Sequence, residues 1–122
     1  MDRTDLARRR DIAARIAQDA ALRAARMRAE GKGVATLKGA QDFLTEADGA
    51  TERTIREALA QAFPGEAILG EEMGGLPQQS GLLWVIDPID GTANFARNAD
   101  RWCVSIGLVQ DGRAVAGAIA RH

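Results

Sequence analysis

The sequence predicts an α+β fold in which helices layer against an antiparallel sheet. Apolar residues recur at helical spacing through roughly the first half of the chain. After Pro64-Gly65 that period gives way to short, strongly apolar runs. The last two runs are joined by Asp111-Gly112, a favoured hairpin turn. There is no internal repeat and no interdomain linker, so residues 1–122 read as one domain.

The first predicted helix runs from Thr4 to about Met27. Ile12, Ile16 and Ala20 repeat at i, i+4, and Ala24 and Met27 continue the stripe, with arginines on the opposite face. Thr4 is the expected N-cap, and Gly31 with Gly33 the stop. Residues 34–48 are polar and irregular, apart from an extended piece at Phe43-Leu44-Thr45. A second helix is expected from about Gly49 to Phe63, with the stripe Ile55, Leu59, Phe63. Asp48 stands at its N-cap position, and Pro64-Gly65 ends it.

Ala67-Ile68-Leu69 is a short apolar run stopped by Gly70, and a loop containing Gly74 and Gly75 follows. Leu82 to Ile86 reads as a strand buried on both faces that ends at Asp87. A turn of helix is expected between Gly91 and Arg97, then a strand from Trp102 to Val109 and its partner from Val115 to Ala120.

Composition narrows the function. The chain of 122 residues is 46% hydrophobic and 27% charged, close to a globular average. Sixteen basic and seventeen acidic residues give a net charge of -1, with no basic block to track a nucleic-acid backbone. No uninterrupted apolar run of about 18 residues is present, which argues against a membrane span. Asp2, Asp5, Asp11 and Asp19 make the N-terminus too acidic for a transit peptide, and the expected compartment is the cytoplasm. One cysteine allows no internal disulfide, and with one histidine the Cys/His zinc sites lack ligands. Cys103, in an apolar strand, is expected to be a small buried hydrophobe, and Trp84 and Trp102 to be packing residues.

The chemistry lies in Asp87-Pro88-Ile89-Asp90-Gly91-Thr92-Ala93-Asn94-Phe95. A buried strand delivers Asp87, and Pro88 forbids a further ladder hydrogen bond. Asp90 follows three residues later, Gly91 permits positive φ, and Thr92 opens a helical turn. One loop thereby offers two carboxylates, the Ile89 carbonyl, a hydroxyl and backbone N–H groups. Hard cations such as Mg²⁺ take carboxylate and carbonyl oxygens plus water, and phosphate takes N–H groups at a helix start. Glu71-Glu72, after a short strand and a glycine, can add a third carboxylate. Two anions about 4 Å apart repel by roughly 4 kcal/mol at an effective dielectric near 20, so such a cluster calls for cations. Taken singly, Asp87-Pro88 and Asp90-Gly91 are ordinary turn pairs, Glu71-Glu72 an ordinary solvated loop and Asp48 an ordinary cap.

Together these segments resemble the inositol monophosphatase family of magnesium-dependent, lithium-sensitive phosphatases. Asp87 to Phe95 is similar to its diagnostic motif. Asp42-Phe43-Leu44-Thr45-Glu46-Ala47-Asp48 resembles its earlier aspartate–threonine–aspartate segment, and Leu69-Gly70-Glu71-Glu72 its glycine–glutamate–glutamate motif. Trp102 to Gly107 is similar to the strand after the main motif. The resemblance implies that Glu71, Asp87, the Ile89 carbonyl and Asp90 hold Mg²⁺, with Asp87 bridging two ions. It implies that Thr92 and Glu71 position the attacking water, and that Asp48 orients the Thr92 hydroxyl. Gly91 and Thr92 N–H groups would bind phosphate oxygens, and Asp90 would approach a substrate hydroxyl. The resemblance also matches Lys38 to a loop lysine near the outer metal, at the cost of a one-residue gap.

The implied fold is the N-terminal portion of the sugar-phosphatase αβαβα sandwich. The implied activity is hydrolysis of a small phosphate monoester, such as inositol 1-phosphate, by metal-activated water, in a homodimeric enzyme. Nothing in this chain matches the family's later tryptophan–aspartate motif, which carries a further metal ligand. Two alternatives follow: a truncated, inactive fragment that keeps a partial metal and phosphate site, or the same scaffold acting on histidinol phosphate or another phosphorylated metabolite.

Overall fold

The computed structural model describes residues 1–31, 36–38, 42–44, 46–70, 74 and 81–122. Helix α1 spans Arg3–Ala29. Its N-cap is Asp2, not Thr4: the Asp2 carboxylate accepts the Asp5 N–H at 2.7 Å. A carboxylate suits that end because it also faces the positive pole of the helix. Gly31, at φ 83°, follows the last turn. The stripe turned to the core is Ala13, Ala17, Ala20, Ala21 and Ala24, while Ile12 and Ile16 are half-buried at its margin. Small side chains let the helix axis come close to its neighbours, and the isoleucines fill the flanks. The arginine face is not wholly solvated either, since Arg9 is only 8% exposed.

Strand β1 (Thr36–Lys38) pairs antiparallel with β2 (Asp42–Leu44) as a separate ribbon. Helix α2 is Glu46–Ala62, one turn longer at its start than expected. Asp48 therefore lies inside the first turn rather than at the cap, and it is buried. Its neighbour Glu46 shares that turn, where acidic groups complement the helix dipole.

The main sheet has the order β3-β4-β5-β6, from β3 (Ala67–Gly70), β4 (Leu82–Asp90), β5 (Cys103–Gln110) and β6 (Arg113–Ala120). It is antiparallel from β4 to β6, and β3 joins β4 in parallel, so the sheet is mixed. The β5–β6 hairpin turns at Asp111 (φ 50°) and Gly112 (φ 80°), the pair of left-handed residues a two-residue turn needs. Helix α1 packs across β5 and β6, and α2 across β4. Between them lie Ile55, Leu59, Phe63, Trp84, Ile86, Val104, Ile106 and Leu108, with Phe63 stacked on Trp84 at 5.1 Å. Trp84 and Trp102 are both packing residues, as the sequence suggests. Among the described residues no helix is long and apolar enough to cross a membrane.

Strand β4 is not buried on both faces along its length, because Val85 is 37% exposed on the side away from the helices. It also does not stop at Asp87. It runs to Asp90 through a register shift, followed by the short helix α3 (Thr92–Ala96).

Candidate active site

The register shift decides where the carboxylates point. Asp87 pairs with Ser105 and Asp90 with Cys103, so three steps on β4 match two on β5. Paired residues share a face. Residues three apart on a regular strand point to opposite faces, but the extra residue brings Asp87 and Asp90 to the same one. Pro88 sits in this bulge, where its missing N–H costs no ladder bond. Ile89 turns inward and is 2% exposed, anchoring the turn in the core. Asp87 is half-buried and Asp90 exposed.

Gly91 then takes φ 90°, ψ 41° as the N-cap of α3. A Cβ there would lie 2.6 Å from the Arg101 carbonyl oxygen, so only glycine fits the approach of the two backbone segments. Thr92 follows at the start of α3. Its hydroxyl lies 3.0 Å from the Ile89 carbonyl oxygen and 3.4 Å from Oδ1 of Asp48. The buried start of α2 is thereby brought to the turn between β4 and α3, across 44 residues of sequence.

An open cleft of about 520 Å³ runs beside this turn, lined by Asp90, Gly91, Asn94, Arg101, Trp102, Cys103 and Arg121. Cys103 is not a fully buried hydrophobe. Its thiol is half-buried and donates toward Oδ2 of Asp90 at 3.9 Å. Burial first, then the charges of Asp90 and Asp87, push the Cys103 thiol up from its ordinary value. The alternation Cys103, Ser105, Gly107 along β5 carries the signal for this face, since residues two apart share it. The contributions of Arg101 and Arg121 have no comparable signature in the sequence.

Glu71 and Glu72 fall outside the described residues, as does Thr45. Lys38 ends β1, with its backbone opposite Asp42. Among the described residues, no group of three or more histidine, cysteine or acidic side chains could hold a metal ion. The oxygen donors available are the carboxylates of Asp87 and Asp90, which share one face of the bulge, with the Ile89 carbonyl between them in sequence. That set suits Mg²⁺, which binds one or two carboxylates and keeps several waters.

The family model described as the inositol monophosphatase family matches residues 5–121. An inositol-1-monophosphatase of Mycobacterium bovis is 40% identical over 129 aligned residues, covering 93% of this chain and 44% of that protein. A histidinol-phosphatase of Mycobacterium tuberculosis is 42% identical over 77 residues, 63% of this chain and 30% of its own length. The crystal structure of the extragenic suppressor protein suhB from Bartonella henselae superposes with a TM-score of 0.82 at 31% identity. It covers 91% of this chain and 44% of that one. The chain thus spans less than half the length of these relatives. With the family model matched over nearly all of its residues, and the same fold in its structural neighbours, the chain belongs to the inositol monophosphatase family.

Proposed function

We propose that this chain carries metal- and phosphate-handling residues of a phosphoric monoester hydrolase acting on a small phosphate monoester such as inositol 1-phosphate. The observation that carries the reading is the bulge, which sets Asp87 and Asp90 on one face and is followed at once by Gly91 and Thr92. Asp87, Asp90 and the Ile89 carbonyl would hold Mg²⁺, with Glu71 as a further ligand. Bound there, Mg²⁺ would supply charge neutralisation at the phosphate and activation of water.

The protein's own part is positioning. The Thr92 hydroxyl, held between the Ile89 carbonyl and Asp48, would orient the attacking water together with Glu71. The N–H groups of Gly91 and Thr92 would receive phosphate oxygens, and Asp90 would accept from a substrate hydroxyl. Direct attack by water needs no protein nucleophile. A homodimer and the cytoplasm remain part of the same reading.

The test is phosphate release by the purified chain from inositol 1-phosphate, with and without Mg²⁺, beside Asp90→Asn. Turnover that needs Mg²⁺ and falls by about 100-fold or more in Asp90→Asn is the expected result. Turnover unchanged by Mg²⁺ removal or by the substitution sinks the reading. A parallel assay with histidinol phosphate is warranted by the 42% identity to a histidinol-phosphatase, and preference for it reassigns the substrate. A folded chain that binds Mg²⁺ and phosphate without turnover would support instead the alternative of a partial, inactive site.

A further inference from the structure

We propose that Arg28, at the end of α1, is a positioning residue for the turn that carries Asp90, Gly91 and Thr92. This rests on the phosphatase reading of that turn. The turn continues into α3, which has only five residues. A helix that short has almost no stability of its own, because nucleation costs more than its few bonds return. Its shape must be imposed from outside.

Asp48 reaches its first residue, Thr92, and Arg28 reaches its far end. Nη1 of Arg28 donates to the Ala99 carbonyl at 2.9 Å and to the Phe95 carbonyl at 3.3 Å. The two hydrogens on that nitrogen thus tie the end of α3 to the segment just after it. The same guanidinium lies over the Phe95 ring at 4.9 Å and the Trp102 ring at 5.5 Å. Those rings are buried and meet edge to face at 4.9 Å. One cation therefore holds both ends of the segment from Phe95 to Trp102.

The constraint passes to the site by two short links. The Phe95 N–H donates to the Gly91 carbonyl at 2.9 Å, and the Gly91 backbone rests against the Arg101 carbonyl. If Phe95 or Arg101 shifts, Gly91 and Thr92 shift with it. Lysine can replace Arg28 only in part, since an ammonium keeps the charge but lacks the planar face that covers two rings.

The test compares Arg28→Met and Arg28→Lys with Arg23→Met, which removes an exposed partner of Asp19 on the same helix. Amide hydrogen exchange is read across residues 91–102, and Mg²⁺ and inorganic phosphate are titrated against the Gly91 and Thr92 amide signals. In Arg28→Met, exchange at Phe95 to Trp102 should rise about tenfold and phosphate affinity fall about tenfold, with α1 exchange unchanged. Arg28→Lys should fall between Met and wild type, and Arg23→Met should match wild type. If Arg28→Met does not fold, Arg28→Lys is judged alone against wild type. Wild-type exchange and affinity in the Arg28 variants overturn the proposal. A wild-type chain that answers to neither Mg²⁺ nor phosphate defeats the phosphatase reading, and the exchange result still decides whether Arg28 sets the turn.

Discussion

At the scale of single residues, two features of the turn after β4 have different origins. The positive φ of Gly91 is legible in the sequence, because Asp90-Gly91 is a turn pair and no other residue takes that conformation freely. The close approach of the Arg101 carbonyl is not legible, because it depends on how the chain returns ten residues later. Both act on one substitution. Gly91→Ala should lower stability by about 1–3 kcal/mol in urea unfolding, from backbone strain and from the 2.6 Å contact. A variant as stable as the parent would show that the turn relaxes cheaply. The Asp48–Thr92 contact is similar in kind: each residue reads alone as a helix start, and only the fold puts Asp48 inside α2 and within 3.4 Å of the Thr92 hydroxyl.

At the scale of elements, the bulge in β4 and the alanine face of α1 matter most. Pro88 marks β4 as a strand that cannot continue its ladder, and Trp84, Val85, Ile86 and Asp87 alternate between its two faces as a strand should. What the alternation could not give is that Asp90 returns to the face of Asp87, because one inserted residue reverses the parity. In α1, the helical period was plain, but its centre lies on alanines and not on Ile12 and Ile16. Period fixes that a face exists, whereas the distance to the neighbouring layers fixes which residues can occupy its middle. Ala17 is fully buried there, so Ala17→Leu should cost about 1–3 kcal/mol by overpacking, measured as a lower urea midpoint. An unchanged midpoint would mean that α1 moves outward without penalty.

At the scale of the molecule, a polar cluster around Arg9 ties the helical layer to the sheet. Arg9 donates from Nη1 and Nη2 to the two Glu66 carboxylate oxygens at 2.6 and 2.8 Å, and from Nε to Asp5 at 2.8 Å. The Trp84 indole N–H reaches Glu66 at 3.0 Å. The Arg9 hydrogen bonds, and secondarily that of Trp84, hold the Glu66 carboxyl below its ordinary 4.5 against the opposing effect of burial. A depressed carboxyl contributes stability that is complete above the ordinary value and is lost as pH falls through the lower folded value. The urea midpoint should therefore drop as pH is lowered below about 4.5. Glu66→Gln should be less stable at neutral pH by about 1–3 kcal/mol and show a flatter acid limb. An identical acid limb in the variant would remove Glu66 from that role. Nothing local marks Arg9 as different from the other arginines of α1, since its partner lies 57 residues on. By itself the sequence determined the two long helices, the apolar strands, the hairpin at Asp111-Gly112 and the oxygen-rich turn from Asp87 to Thr92. Those follow from period, turn chemistry and residue type, which act over a few neighbours. The tertiary structure alone decided the parallel entry of β3, the shared face of Asp87 and Asp90, and the reach of Arg28 to the turn. Those depend on register and on contacts between distant segments, which are set only when the layers close on one another.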